Sequence, residues 1–350
     1  MIAAGRPTAS EIEPDALAAA GVRRLVAFAP NWLGDAVMAL PALADLKRQA
    51  PELSLAVAAR RAIAPLFALV EGVHEVVTLD KTSWYGRSPA LDGKGFDAAL
   101  LLPNSFRAAY LAWRAGVRER WGFATDLRGP LLTRRVPLPW PSHQASFYQH
   151  LTRALGVPTG PTVPRLQAPD SVRRSAARLL KARGWDGRSP LLALAPGAAY
   201  GGAKRWPANS FAAVAEGMAS DGLVPTLVGS AADRPAVAEL HAVLARGVRT
   251  LDLTGETSLE ELVGVLALSR ALVSNDSGAM HVAAALGVPV VAVFGPTDEQ
   301  VTRPLGPGPR EVVTAAVWCR PCLLRECPLD HRCMRGVSPE TVLDHVRRRL

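Results

Sequence analysis

A polar turn between two apolar strands, within residues 274–296 (SNDSGAMHVAAALGVPVVAVFGP), has the composition of an anion site. Asp276, Ser277 and Gly278 stand where a helix must begin, and the first N–H groups of a helix have no partner inside it. Those donors and the positive end of the helix dipole attract phosphate. His281 lies one turn further on the same face, where it is a further donor. The alternative for this segment alone is an ordinary βαβ unit with a capped helix.

A second glycine-rich turn, residues 195–207 (APGAAYGGAKRWP), follows another apolar strand. Glycine-rich backbone can wrap a diphosphate, and Lys204 supplies a positive point charge. The turn is not a Walker loop, because G-x-x-x-x-G-K-[ST] is absent. A flexible surface loop with chance cations is the alternative. The sequence therefore indicates two turns that suit one phosphorylated ligand.

A third turn, Asn31-Trp32-Leu33-Gly34-Asp35, follows the first apolar strand of the chain. Gly34 permits a tight turn, and Asp35 at the start of the next helix either caps that helix or faces a cleft. A dinucleotide-binding fold would need G-x-G-x-x-G here, and the turn has one glycine. This argues against a nicotinamide enzyme.

All four cysteines lie close together, as C-x2-C-x4-C-x5-C with His331 nearby. The cysteines are Cys319, Cys322, Cys327 and Cys333. Such clustering argues for a metal or a redox-sensitive cluster rather than for stable disulfides. Zinc and an iron–sulfur cluster are the metal candidates, a metal-free thiol cluster is the main alternative, and disulfides come after these.

The elements that must position these turns alternate between strand and helix along the whole chain, which predicts an α/β fold with parallel, doubly wound sheets. The first helix is expected over residues 36–49. Six prolines between residues 136 and 164 suggest a connector. We expect a flexible leader over 1–22, one Rossmann-like domain over 23–165 and a second over 166–350 that carries the cysteine-rich tail. Ligands of such sheets lie at the carboxyl ends of the strands.

Bulk properties limit the partners. The 350 residues carry a formal charge of +9, with a pI of about 9.9, which points to an anionic partner. The excess of positive charge is spread over both halves of the sequence, whereas a nucleic-acid binder more often has a concentrated basic stripe. No apolar run approaches the ~18 residues of a membrane span, and the first twenty residues do not resemble a secretory signal. We expect a cytoplasmic protein.

Five stretches together resemble the ADP-heptose:lipopolysaccharide heptosyltransferases, family 9 of the glycosyltransferases. They are WLGDAVMALPAL, PGAAYGGAKRWP, LVGSAADR, SNDSGAMHVAAALGVPVVAVFGPT and CRPCLLRECPLDHRCM, in this order. The tail and the AKRWP form resemble the members that add the second heptose of the inner core. The resemblance implies the GT-B architecture, in which two Rossmann-like domains face each other across a cleft. It also implies an inverting transfer.

The resemblance assigns roles to the three turns. Asp35 becomes the general base for the acceptor hydroxyl. Lys204, the helix start at Asp276, Ser277 and Gly278, and His281 would bind the ADP leaving group, with Asp276 capping its turn or meeting heptose hydroxyls. On the donor side, the backbone N–H groups of Gly197, Ala198 and Ala199 would also contact the phosphates, and Asp233 would contact the ribose. On the acceptor side, the expected contacts are Asn31, Trp32 and Gly34. Some members have hydroxyl residues where this chain has the two alanines.

The resemblance also implies the partners. The donor is ADP-heptose, and the acceptor is a phosphorylated, lipid-anchored saccharide, heptosyl-Kdo-lipid A, at the inner face of the inner membrane. Peripheral contact with the anionic membrane surface accounts for the positive charge without nucleic acid. No cofactor is required for catalysis. Transfer to another acceptor, transfer of the first heptose, and nucleotide-sugar binding without catalysis are the alternatives.

Overall fold

The computed structural model of the chain describes residues 16–80 and 88–350. Two six-stranded sheets, every strand pair of which is parallel, form the two halves of the molecule. Parallel sheets need helical crossovers, which cover both faces of each sheet. The expected α/β architecture of two doubly wound halves is confirmed. The boundary between residues 165 and 166 stays a prediction.

The first sheet has the strand order β3-β2-β1-β4-β5-β6. Its strands are β1 (Arg24–Phe28), β2 (Ser54–Arg60), β3 (Glu75–Leu79), β4 (Ala98–Leu101), β5 (Glu119–Phe123) and β6 (Arg134–Val136). Its helices are α1 (Ala16–Ala19), α2 (Leu33–Met38), α3 (Leu40–Gln49), α4 (Ala64–Phe67), α5 (Phe106–Arg114) and α6 (Gln144–Arg153). The chain order reverses beside β1, so the turn after β1 lies at the switch point where ligands of such sheets bind.

The second sheet has the order β12-β11-β10-β7-β8-β9. Its strands are β7 (Leu191–Ala195), β8 (Val224–Leu227), β9 (Leu251–Asp252), β10 (Ser269–Asn275), β11 (Val290–Phe294) and β12 (Arg310–Thr314). Its helices are α7 (Asp170–Ala182), α8 (Ala208–Ser220), α9 (Arg234–Val243), α10 (Leu259–Leu268), α11 (Gly278–Ala285), α12 (Glu299–Thr302), α13 (Arg332–Arg335) and α14 (Pro339–Arg347). The central strands β7, β10 and β11 are almost wholly buried.

Two helix starts, one from each half, pack against each other at the centre of the molecule. A Cβ added to Gly278, at the start of α11, would lie 2.9 Å from the Leu33 Cβ on α2. A Cβ added to Gly34 would lie 2.8 Å from Cδ2 of His281. The two glycines therefore permit a close approach of α2 and α11, and they bring the turn after β1 opposite the turn after β10.

Three expectations about local structure need correction or extension. The single helix expected over 36–49 is wrong: α2 ends at Met38 and α3 begins at Leu40, because Pro41 has no N–H to continue the ladder. Strands β5, β6 and β12 were not expected. Of the expected flexible leader, residues 1–15 lie outside the described residues. Residues 16–19 form a helical turn with Ala16 and Leu17 buried, and the Ala16 N–H donates to the Leu155 carbonyl at 3.0 Å.

Within the described ranges, no helix has the length and hydropathy that a membrane crossing requires.

Candidate active site

Asp35 lies in the first turn of α2, at the edge of a cavity of about 290 Å³ between the two halves. Trp32 occupies the N-cap position, and within residues 16–80 and 88–350 the Asp35 carboxylate makes no hydrogen bond to the helix start. It lines the cavity instead. The cavity is lined by Trp32, Gly34, Asp35, Met38, Ala199, Tyr200, Lys204, Asp276, Ser277, Gly278, His281 and Thr302. All three turns from the sequence therefore meet in one place.

The electrostatic setting of Asp35 suits a base. Burial raises its pKa from 3.8 to about 6, the negative charge of Asp276 adds to this rise, and the positive charge of Lys204 opposes it. A carboxylate with this pKa is mostly ionised at neutral pH and accepts a proton more readily than an exposed one.

Lys204 and Asp276 form an ion pair, with Nζ 2.6 Å from Oδ2. Both side chains are largely buried, with 13% and 7% of their surface exposed, and the Thr297 hydroxyl donates to the same Oδ2 at 2.7 Å. The Lys204 ammonium also lies over the Tyr200 ring, 4.8 Å from its centroid. Asp276 thus fixes Lys204 in place, and the ammonium faces the cavity beside the start of α11.

The start of α11 remains available to an anion. Ser277 is the N-cap residue, but its side chain makes no capping bond to the helix. Its hydroxyl instead bonds to that of Ser274 at 2.8 Å. Because Ser277 and Gly278 both line the cavity, the N-terminal N–H groups of α11 and the Lys204 ammonium can act on one diphosphate.

His281 lies on the cavity wall, packed against Gly34, and is almost completely buried. Burial lowers its pKa to about 4, although the charge of Asp276 opposes this shift. The imidazole is therefore neutral at neutral pH, so it can contribute one N–H but not a positive charge.

The glycine-rich turn is held at both ends by Asn275, a residue that the sequence did not single out as part of the site. Its Nδ2 donates to the carbonyls of Pro196 (2.7 Å) and Gly197 (3.3 Å), and its Oδ1 accepts from the Trp206 N–H at 3.0 Å. Within the turn, Ala198 is buried and Ala199 lines the cavity.

Asp233 lies beside the same turn, at the carboxyl end of β8. Its Oδ2 accepts hydrogen bonds from the backbone N–H and the hydroxyl of Ser230, both at 2.8 Å. Its other oxygen faces Gly197 so closely that a Cβ at that glycine would collide with it. Asp233 is not among the residues that line the 290 Å³ cavity.

A second cavity, of about 250 Å³, adjoins the first and belongs to the first half of the molecule. It is lined by Pro30, Asn31, Trp32, Asp35, Leu102, Pro103, Asn104, Ser105, Gln144, Phe147 and Tyr148. Asp35 and Trp32 border both cavities. Of the expected acceptor-side residues, Asn31 and Trp32 lie at the second cavity, whereas Gly34 lies at the first. Tyr148, also at the second cavity, was not predicted from the sequence. Burial raises the pKa of Tyr148, and the negative charge of Asp35 adds to the rise.

Comparison with known proteins identifies the family. The family model described as glycosyltransferase family 9 (heptosyltransferase) matches residues 88–332. The chain belongs to glycosyltransferase family 9. A curated relative, lipooligosaccharide heptosyltransferase 2 of Haemophilus ducreyi, is 32% identical over 302 residues, covering 81% of this chain and 86% of the relative. Lipopolysaccharide heptosyltransferase 2 of Escherichia coli K12 is 28% identical, covering 92% of this chain and 97% of that protein.

A solved structure of a family 9 member agrees with the fold. The structure of E. coli ADP-heptose lipopolysaccharide heptosyltransferase II has a TM-score of 0.81 to this chain at 28% identity, covering 93% of this chain and 98% of that one. This family 9 protein is therefore a glycosyltransferase with the two-domain GT-B architecture, as its sequence indicated.

The cysteine-rich tail of this family 9 enzyme lies beside the second sheet. Cys333 is buried, Cys322 is exposed, and Cys319 and Cys327 are intermediate; all four are free thiols. Burial raises the pKa of Cys333, and the three neighbouring cysteines add to the rise. Among residues 16–80 and 88–350, no group of three or more His, Cys, Asp or Glu side chains is arranged to hold a metal ion.

Proposed function

We propose that this enzyme transfers heptose from ADP-L-glycero-D-manno-heptose to the first heptose of heptosyl-Kdo-lipid A, with inversion at the anomeric carbon. This is the reaction of a heptosyltransferase II. The two curated relatives described above both bear the name heptosyltransferase 2, and their alignments span most of this chain. The TM-score of 0.81 to E. coli heptosyltransferase II supports the same assignment.

The single observation that carries the mechanism is that the Asp35 carboxylate borders both cavities. In the proposed reaction, the acceptor saccharide occupies the second cavity and the donor occupies the first. Asp35 takes the proton from an acceptor hydroxyl, the oxygen attacks the anomeric carbon, and the bond from that carbon to the ADP oxygen breaks on the opposite face. The raised pKa of Asp35 suits this general-base role.

The leaving ADP gains negative charge at its diphosphate, so fixed positive groups there lower the barrier. We assign this role to Lys204 and the helix start at Ser277 and Gly278, with the backbone of residues 197–199 alongside. His281 contributes a neutral N–H. Asp276 orients Lys204 and faces the heptose hydroxyls. No metal ion takes part in this scheme, because Lys204 and the helix dipole supply the positive charge.

Asp233 is assigned to the ADP ribose. Its free oxygen faces Gly197, which places a hydrogen-bond acceptor beside the glycine-rich turn. Asn31 and Trp32 are assigned to the acceptor, since both line the second cavity.

The test is an activity assay with ADP-heptose and acceptors of defined core length. We expect transfer to the acceptor that carries one heptose and none to Kdo-lipid A without heptose. Transfer only to the acceptor that lacks the first heptose would instead indicate a heptosyltransferase I. Binding of ADP-heptose without transfer to either acceptor would indicate a nucleotide-sugar binding protein.

The lipid anchor of the proposed acceptor requires a surface that meets the membrane, and α5 has the composition for it. Phe106, Tyr110 and Trp113 form one stripe, with neighbouring ring centroids 6.1 and 5.9 Å apart. Phe106 and Trp113 are 44% and 47% exposed. Leu127 is 91% exposed beside the stripe, on a loop whose Asp126 carboxylate accepts from the Phe106 N–H at 2.6 Å. Aromatic rings of this kind favour the headgroup region of a bilayer.

Hydrogen bonds of the neighbouring residue, Arg128, fix the loop on which Leu127 is exposed. The buried Arg128 guanidinium donates to the carbonyls of Phe123 and Pro103, which fixes the loop beneath Leu127. The exposed Arg114, on α5, adds a positive charge that suits anionic lipid. Since the loop before α5 also lines the second cavity, a bilayer at this surface would lie next to the proposed acceptor site.

Co-sedimentation with vesicles tests this contact. We expect binding to phosphatidylethanolamine vesicles that contain phosphatidylglycerol, weakened by salt, and lost in the double variant Trp113→Ser, Leu127→Ser. Trp140→Ser is the matched control: Trp140 is 78% exposed but lies beside α6, which packs on the opposite face of the first sheet. Binding that does not depend on anionic lipid or on salt would contradict the proposed contact between this surface and the membrane.

A further inference from the structure

The cysteine-rich tail packs directly on the donor side of the active site. We infer that the segment 318–333, called here the cysteine segment, is a structural part of the donor site that positions Lys204. This inference rests on the proposed function, in which the cavity beside Lys204 receives ADP. Tyr200 and Glu326 are its positioning residues.

The first line of support is a set of hydrogen bonds to the glycine-rich turn. The Tyr200 hydroxyl donates to the Leu323 carbonyl at 2.9 Å. The Gly202 N–H donates to Oε1 of Glu326 at 3.1 Å, and the Ala203 N–H donates to the Arg325 carbonyl at 2.9 Å. The cysteine segment therefore binds the turn at three residues just before Lys204.

The contact is too close to be incidental. A Cβ at Gly201 would collide with the Arg325 carbonyl, so the turn approaches the cysteine segment where it has no side chain. The Tyr200 ring lies within cation–π range of both Lys204 and Arg325, whose charged groups are 4.8 and 5.2 Å from its centroid. Tyr200 thus connects the cysteine segment to the Lys204 ammonium.

The same segment also holds the opposite side of the Lys204–Asp276 ion pair. The Arg320 side chain donates to the carbonyls of Gly295 (3.0 Å) and Thr297 (3.3 Å), and the Leu323 N–H donates to the Pro296 carbonyl at 2.8 Å. Thr297 in turn donates to Asp276. One segment therefore fixes both the turn that carries Lys204 and the turn that supports its carboxylate partner.

The far end of the segment is anchored in the core. Cys333 and Met334 are buried in the hydrophobic cluster of the second half, and both lie against Gly295, where a Cβ would collide with the Met334 side chain. Because the anchor and the two turns are joined by one short stretch of chain, opening of the stretch must loosen the Lys204 turn. By linkage, ligand bound at Lys204 must in turn slow the opening of the stretch.

The first experiment uses the unmodified enzyme. Cys319 and Cys327 are intermediate in exposure and Cys322 is exposed, so opening of the segment should speed the alkylation of the first two by a maleimide. We expect saturating ADP to slow the alkylation of Cys319 and Cys327 at least about threefold and to leave Cys322 unchanged. Equal rates with and without ADP at all three cysteines would overturn the inference.

The second experiment measures ADP affinity by calorimetry in variants. Tyr200→Phe removes the bond to Leu323 and keeps the ring, and Glu326→Ala removes the acceptor of the Gly202 N–H. We expect each to weaken ADP binding roughly three- to tenfold, the range of one hydrogen bond. Leu329→Ala is the matched control, since Leu329 is half-exposed in the same segment and has no polar group. Wild-type ADP affinity in both variants would overturn the inference.

The two proposals fail differently. If the wild-type enzyme does not bind ADP, the proposed function fails. If the wild-type enzyme binds ADP and the variants bind it equally well, only the role of the cysteine segment fails. A melting temperature for each variant separates weakened binding from lost folding, and the alkylation experiment needs no variant.

Discussion

The two halves of the molecule prepare their sides of the cleft in different ways. On the side of the second sheet, the polar groups are already tied to one another: Lys204 to Asp276, Asp276 to Thr297, and Asn275 to both ends of the glycine-rich turn. On the side of the first sheet, the Asn31 and Asp35 side chains make no hydrogen bond to residues 16–80 or 88–350. Trp32 is 56% exposed.

This difference matches the ligands of the proposed reaction. A diphosphate carries concentrated charge, and fixed partners bind it best because they need no reorganisation as the charge develops. A base must be free to accept a proton, and a carboxylate already engaged by donors would be a poor one. The comparison predicts that changes on the second side weaken donor binding, whereas changes at Asp35 leave it intact.

The largest effect is expected for Asp35→Asn. The variant keeps the shape of the side chain but cannot accept the proton, so kcat should fall by roughly 10²–10⁴-fold, the usual contribution of a general base. ADP affinity, measured by calorimetry, should stay within about twofold. Turnover near the wild-type rate would remove Asp35 from the mechanism.

Lys204→Ala should show the opposite pattern. Loss of one fixed donor at the leaving group should lower kcat/KM by roughly 10²-fold, and ADP affinity should fall with it. Asp276 would also keep an unpaired, largely buried charge. Lys181→Ala, on the exposed surface of α7, is the control for loss of a lysine. If ADP affinity were unchanged in Lys204→Ala, the two sides of the cleft would not differ as we describe.

Gly34→Ala tests the contact between the halves. The new Cβ would lie 2.8 Å from Cδ2 of the buried His281, so the imidazole or one of the two helices must shift. We expect a loss of about 1–3 kcal/mol in the free energy of unfolding and a roughly tenfold fall in kcat/KM, because Asp35 is the next residue. In the control Gly129→Ala, the new Cβ meets only the Arg135 side chain, at 3.9 Å. Equal melting temperatures for the two variants would contradict this.

The same contrast separates what the sequence could predict from what it could not. Asp35, Lys204 and residues 276–278 were predicted because each lies in a polar turn directly after an apolar strand, and parallel strands bring such turns to one edge. Asn275 and Tyr200 were missed as site residues because their roles depend on distant partners. Asn275 binds the Trp206 N–H 69 residues away, and Tyr200 binds the Leu323 carbonyl 123 residues away. Nothing in local composition marks such pairs.

Elements at the sheet edges were missed for a related reason. Strand β5 (ERWGF) mixes charged and apolar residues, and β6 has three residues, so neither has the apolar run of a central strand. The break between α2 and α3 did have a signal, since Pro41 stands in the first turn of α3. The break matters for the site, because it makes α2 a separate short helix whose first turn presents Asp35 to the cavity.

The smallest expected effect is a shift in the pH profile of kcat/KM. It arises because Asp276, on the side of the second sheet, influences the pKa of Asp35, on the side of the first sheet. Because the pKa of Asp35 is about 6, kcat/KM should be constant above that pH and fall as the pH drops through it and the carboxylate becomes protonated. The negative charge of Asp276 favours the protonated form of Asp35. Asp276→Asn should therefore lower the pKa of Asp35 and move the acid limb to lower pH, whatever it does to the absolute rate.

Asp80→Asn is the control for that shift, since Asp80 is exposed and pairs with Arg61 on the outer surface. It should leave the acid limb in place. If the acid limb of Asp276→Asn moves to higher pH, or does not move, the negative charge of Asp276 does not raise the pKa of Asp35 across the cleft. The two halves would then contribute independently to catalysis, and the fixed network of the second half would act on the donor alone.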